Sequence, residues 1–199
     1  LFLCIFHLYT YSQGLISNEK YYNTLSDWNL DDLGFSEKLP SSYSLRKYCP
    51  PVGNQGDYGT CVGWATSYAG MSIMYNIQNN ITKNSEKLLY AFDPLYIYTI
   101  VKDDEDVDCG EGIHTENAVV ALSQYGCKRL FIAEKTGCIF ELSDEIISYG
   151  KPFKINQNIS KLPERKDKLE LIKNKVAQNK PLIVGVKYSS PKFISNGLW

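Results

Sequence analysis

The segment Gln55-Gly56-Asp57-Tyr58-Gly59-Thr60-Cys61 combines the parts a cysteine nucleophile requires: a side-chain amide six residues before a thiol, a glycine two residues before it, and a helix-like run after it. The thiolate is the reactive form, and unpaired N–H groups at a helix N-terminus favour negative charge, so Cys61 stands where its pKa is expected to fall. A cysteine beside small helical residues also fits an inert core position. Only two histidines, His7 and His114, could serve as a base, and a base must come within hydrogen-bonding reach of the thiol.

The elements that would position this segment can be read from periodicity. Val62, Ala65, Ala69, Ser72 and Asn76 recur at three- and four-residue steps with small side chains, predicting a buried helix that starts at the thiol. Phe92-Asp93-Pro94 opens a second helix, with Leu95, Tyr98 and Val101 on one face. Cys109-Gly110-Glu111-Gly112-Ile113-His114 leads into a third apolar run, 117–122, that ends at Tyr125-Gly126. Lys168, Leu169, Leu171, Ile172, Val176 and Ala177 predict an amphipathic helix, and 181–186 a short buried strand. An unpaired edge near 182–187 would be an aggregation risk.

The 199 residues, 44% hydrophobic and 22% charged, suit one globular domain with a sizeable core. A formal net charge of -1 gives no reason to propose a nucleic-acid or acidic-membrane partner. No segment reaches the ~18 apolar residues that span a bilayer. Asp103, Asp104, Glu105, Asp106 and Asp108 form one dense acidic cluster. It lacks the glycine turn and terminal glutamate of a calcium loop, so it reads as a solvated loop, and no metal or organic cofactor is expected. There is no internal repeat.

Residues 1–14 read as the apolar part of a secretory signal, with a strand or short helix of the domain as the alternative. Residues 15–38 read as a linker or short extension, and 39–199 as the main domain. A secreted or periplasmic location would put Cys49, Cys61, Cys109, Cys127 and Cys138 in an oxidising compartment. With Cys61 free, the other four could form two bridges, in any of three pairings. Asn80-Ile81-Thr82 and Asn158-Ile159-Ser160 are glycosylation sequons, relevant in a eukaryotic source.

Pro51-Val52-Gly53-Asn54-Gln55-Gly56, followed by Gly59-Thr60-Cys61, resembles the active-site segment of papain-like cysteine peptidases, and the Val62-Gly63-Trp64-Ala65 continuation looks more like their bacterial branch. Cys109-Gly110-Glu111-Gly112 resembles a second, distant segment of the same family, although Ile113 replaces a glycine of its pair. The resemblance implies an α+β papain-like fold, with a complete helical lobe and an incomplete β lobe. It implies that Cys61 attacks a peptide carbonyl, and that Gln55 and the Cys61 N–H stabilise the oxyanion. Gly59, Gly112 and His114 would border the groove for a peptide or protein substrate. Tyr58 stands where the family carries a second cysteine, and Val62 where it carries an aromatic residue, a role Trp64 is placed to assume.

In the family the catalytic histidine lies about 130–150 residues beyond the nucleophile, which makes His114 a groove-wall residue. That forecast falls at or past the end of the sequence. Phe193 and Asn196-Gly197-Leu198-Trp199 resemble the turn before the histidine strand, so the sequence is expected to be a fragment lacking the catalytic His and Asn and inactive by itself. The stretch before residue 39 is shorter than the family's helical propeptide, which argues against latency by that route. The alternatives are a non-catalytic papain-like binding module, or a transferase using the same nucleophile.

Overall fold

The computed structural model describes residues 14–27, 39–131, 138, 141–156, 160–161 and 168–185. The signal reading of 1–13, most of the extension at 28–38, Asn158 and the 186–199 turn lie outside them.

Small residues build the central rod. Helix α2 (Cys61–Gly63) passes without a break into a π-helical stretch (Trp64–Met71) and then α3 (Ser72–Gln78). Gly63 and Gly70 each cost such a helix roughly 1 kcal/mol in propensity, and Gly63 shows why it is there. A methyl group at Gly63 would sit 2.2 Å from the Pro94 carbonyl oxygen, so the glycine lets α5 (Pro94–Val101) pack directly on the rod. Asn76 and Ser72, both buried, are tied outward: Asn76 Nδ2 donates to Tyr48 O at 2.9 Å, and Ser72 Oγ accepts from Phe92 N at 3.0 Å.

Helix α5 starts as its sequence dictates, with Asp93 Oδ1 accepting from Leu95 N at 2.9 Å and proline in the first turn, where a missing N–H costs nothing. It is buried nearly all round, contributing Tyr96, Ile97 and Tyr98 to a core shared with Val62, Met71 and Phe92. Helix α6 (Thr115–Tyr125) packs Ala118, Ala121 and Leu122 into the same core and ends at Gly126, whose φ of +71° favours glycine. The chain also forms the shorter helices α4 (Asn84–Leu89) and α7 (Asp144–Gly150) and the amphipathic α8 (Lys168–Ala177), which buries Leu171 and Asn174.

Two polar devices flank the core, the first fully buried and the second half-buried. Lys128 Nζ and Asp93 Oδ2 form an ion pair at 2.5 Å with both side chains fully buried. The Arg129 guanidinium lies 3.9 Å, 4.1 Å and 4.3 Å from the ring centres of Tyr75, Phe92 and Phe153, a cation–π cage.

The sheet is small. Strand β1 (Leu15–Ile16) runs parallel to β2 (Ile113–His114), with Leu15 opposite Ile113 and Ile16 opposite His114. After β1, α1 (Glu19–Thr24) is capped by Asn18, whose side chain accepts from Tyr21 N. Residues 181–185, expected as a buried strand, are unpaired among the described residues, with Ile183 44% and Val184 62% exposed. An apolar run becomes a strand only when another strand accepts its backbone groups, and none of the described ones does.

Of the two bridges that four cysteines could form, one, Cys109–Cys138, is present among the described residues. Cys127 is instead a fully buried free thiol donating to the Asp93 carbonyl, and Cys49 is half-buried, its thiol facing the Leu45 carbonyl. Burial pushes the Cys127 pKa up to about 12, so this thiol is inert.

Candidate active site

The nucleophile loop is clamped by the helix it feeds. Tyr68 OH donates to the Pro51 carbonyl at 2.6 Å, and the Trp64 ring lies so close to Gly53 that a methyl group there would be 2.2 Å from it. Trp64 and Tyr68 stack edge-on at 4.8 Å, so two aromatic residues of the π-helical stretch hold the start of the loop. Asn54 Oδ1 then accepts from Gly56 N at 2.8 Å, closing a tight turn in which Gly56 takes a φ of +68°.

Gln55 is half-buried, and its Nε2 donates to Tyr58 O at 2.5 Å. This bond fixes the amide and leaves its second N–H uncommitted to that carbonyl. Gly59 is buried, its N–H donating to the Cys109 carbonyl at 2.6 Å. A methyl group on Gly59 would sit 2.7 Å from the Gly110 carbonyl oxygen, so the nucleophile loop and the 109–112 loop touch backbone to backbone.

Cys61 is the first residue of α2, a free and half-buried thiol. Its pKa moves opposite to expectation. Partial burial pushes it up, and the facing N–H groups of Val62 and Cys61 pull it down by less. The helix end is present, but the neighbouring Val62 and core contacts remove more water than the end compensates.

Gly112 and His114 stand on the opposite side of that backbone contact. Gly112 is buried at a φ of +88°, and His114 is half-buried on β2. Both meet the N-terminal strap, His114 with part of its side chain still exposed. Ile113 N donates to Gly14 O at 3.0 Å, and His114 Nδ1 bonds to Ile16 O at 2.9 Å. A methyl group at Gly14 would sit 1.7 Å from the Gly59 carbonyl oxygen, and one at Gly112 would sit 2.3 Å from Gly14 O. Gly59, Gly112 and His114 therefore converge on one wall, and residues 14–16 lie extended along it. The His114 Nδ1–H serves the Ile16 carbonyl and ties the ring to the strap.

Sequence reasoning missed Tyr98 and Asp106 as supports of this wall. Asp106 belongs to the acidic cluster read as solvated, and the rest of the described cluster is exposed, but Asp106 is buried and bonded to Tyr98 OH at 2.5 Å. The five acidic residues look alike in sequence; only their spacing from a buried tyrosine eight residues earlier separates one of them. Among the described residues no cluster of His, Cys, Asp and Glu could hold a metal ion, and no helix is long and apolar enough to cross a membrane.

No protein-family model matches the sequence, and no curated protein does. Among solved structures the chain is similar to xylellain, a cysteine protease from Xylella fastidiosa, with a TM-score of 0.51 at 16% identity. The chain shares the fold of that protease. The likeness covers 81% of this chain and 59% of that structure, and at this identity it speaks for the fold alone.

Proposed function

We propose that this chain carries the nucleophile and the substrate groove of a cysteine-type peptidase. The observation that carries the reading is the strap: the wall beside a free, half-buried Cys61 already holds an extended polypeptide by backbone hydrogen bonds. A groove that takes residues 14–16 of its own chain has the chemistry to take a peptide substrate in the same manner.

In this reading Cys61 attacks the scissile carbonyl as thiolate, the Gln55 amide and the Cys61 N–H stabilise the oxyanion, and the amine leaves. Water then hydrolyses the thioester. Gly59, Gly112 and His114 border the bound peptide. The burial that raises the Cys61 pKa makes an imidazole partner necessary for turnover at neutral pH. His114, its Nδ1 tied to the Ile16 carbonyl, is proposed as a groove-wall residue rather than that partner, and without the partner Cys61 is proposed to react once with an electrophilic peptide and not to turn over. We place the protein in a secreted or periplasmic compartment, consistent with the Cys109–Cys138 bridge.

A peptidyl epoxide tests the assignment. It should alkylate Cys61 and leave Cys61→Ala unlabelled; labelling that persists in Cys61→Ala would defeat the nucleophile assignment. The same raised thiol pKa favours a second reading, a papain-like binding module without chemistry. That module would bind extended peptides as well as the peptidase does, while its Cys61 would show no faster reaction with a peptidyl epoxide than with a small alkylating agent.

A further inference from the structure

The wall that meets the strap is built from backbone held in uncommon conformations. Cys109 has a φ of +59° and Gly112 a φ of +88°. A non-glycine residue in the left-handed region persists only where its surroundings over-determine it, and such positions cluster at ligand clamps. The surroundings here include one polar network. Tyr98, fully buried on α5, accepts from Gly112 N at 3.0 Å and donates to Asp106 Oδ2 at 2.5 Å. Asp106, 2% exposed, uses its other oxygen to accept from Gly110 N at 3.0 Å. Cys109 O, between these ties, receives the Gly59 N–H at 2.6 Å.

The direction of each bond is fixed by chemistry. Burial and the Asp106 carboxylate push the Tyr98 pKa well up, so the hydroxyl keeps its proton and donates the hydrogen bond to Asp106. Its lone pair is then free for the Gly112 N–H. With that amide turned into the core, the next one, Ile113 N–H, is the donor presented to the strap, where it meets Gly14 O at 3.0 Å.

We propose that Tyr98 and Asp106 are positioning residues for the peptide groove, holding backbone 109–113 so that Ile113 N–H faces the bound chain and the Gly59 loop stays joined to the wall. The proposal deepens the peptidase reading and rests on it, because it concerns how that groove receives substrate. Neither residue is assigned a contact with substrate; both act through Gly110 and Gly112.

The test uses the full 199-residue chain carrying Gly14→Val, which evicts the strap, because a valine side chain would collide with the Gly59 carbonyl. Cys61 alkylation rates are measured with iodoacetamide and with a peptidyl epoxide, and the ratio of the two reads the groove alone. Tyr98→Phe and Asp106→Ala should each lower the ratio about tenfold, as expected for losing well-placed buried hydrogen bonds, and leave the iodoacetamide rate within about twofold. Asp106→Asn keeps an acceptor for Gly110 N–H and a polar partner for Tyr98, and should restore the ratio to within about threefold.

A ratio unchanged in Tyr98→Phe and Asp106→Ala, or two rates that fall in step, would overturn the inference. So would an Asp106→Asn as impaired as Asp106→Ala. Should Tyr98→Phe fail to fold, the Asp106 pair decides. A Gly14→Val parent that gains nothing from the peptide arm would instead sink the groove reading itself, an outcome distinct from the others.

Discussion

Replacing Gly14 with valine sets the strap against the wall it lies on. The first added carbon would stand 1.7 Å from the Gly59 carbonyl oxygen, where van der Waals contact needs more than 3 Å, and Gly59 is itself pinned by its bond to Cys109 O. Gly14 also has a φ of +78°, which a β-branched residue avoids. Residues 14–16 must therefore leave. The β1–β2 ladder holds them, with Ile113 N to Gly14 O and His114 Nδ1 to Ile16 O beside it, while Leu15 and Ile16 are still 37% exposed.

The ladder bonds and the His114 bond, at roughly 1 kcal/mol net each, exceed about 1 kcal/mol per ordered residue only slightly, so docking is worth on the order of 1 kcal/mol, or roughly fivefold in groove occupancy. Gly14→Val should raise the rate of Cys61 alkylation by a peptidyl epoxide by that factor, followed by intact mass over time, with little change for iodoacetamide. A peptidyl rate that is unchanged or lower would refute the idea that the strap and a peptide compete for one wall.

Three further outcomes follow from the same structure. The rate of Cys61 alkylation by iodoacetamide should rise with pH through a midpoint above the ordinary thiol range, because burial raises its folded pKa and the thiolate forms only at higher pH; a midpoint below that range would contradict the burial argument. Lys128→Met should destabilise the protein by about 3–5 kcal/mol, seen as a lower denaturation midpoint, since it leaves Asp93 charged and buried without its ion-pair partner; a loss under about 1 kcal/mol would show the pair to be dispensable. Gln55→Ala should slow acylation of Cys61 by an activated peptide ester by ~100-fold or more, and a negligible effect would remove the amide from the mechanism.

What the sequence made legible is what depends on neighbours along the chain. The helix at Cys61, the Asp93-Pro94 start of α5, the Gly126 stop of α6 and the apolar face of α8 each rest on spacing, a cap or a breaker, and each is present. The unforeseen features are long-range. Leu15 finds Ile113 across almost a hundred residues, and Cys109 pairs with Cys138 because tertiary packing brings them together. Asp106 is singled out from its acidic neighbours by a buried tyrosine, and 181–185 lacks among the described residues the partner its apolar pattern requires. The Cys61 pKa belongs to the same group. Its helix end is a local property, but the burial that outweighs it comes from the whole fold.

The most direct test of the central claim is to offer the chain a peptide activated as a p-nitrophenyl ester and map the acyl group by mass spectrometry. The account predicts release of about one nitrophenol per chain and a thioester on Cys61, formed faster as the peptide lengthens along the groove and absent in Cys61→Ala. An acyl group found on Cys49 or elsewhere, or a Cys61 adduct whose rate is indifferent to peptide length, would contradict it.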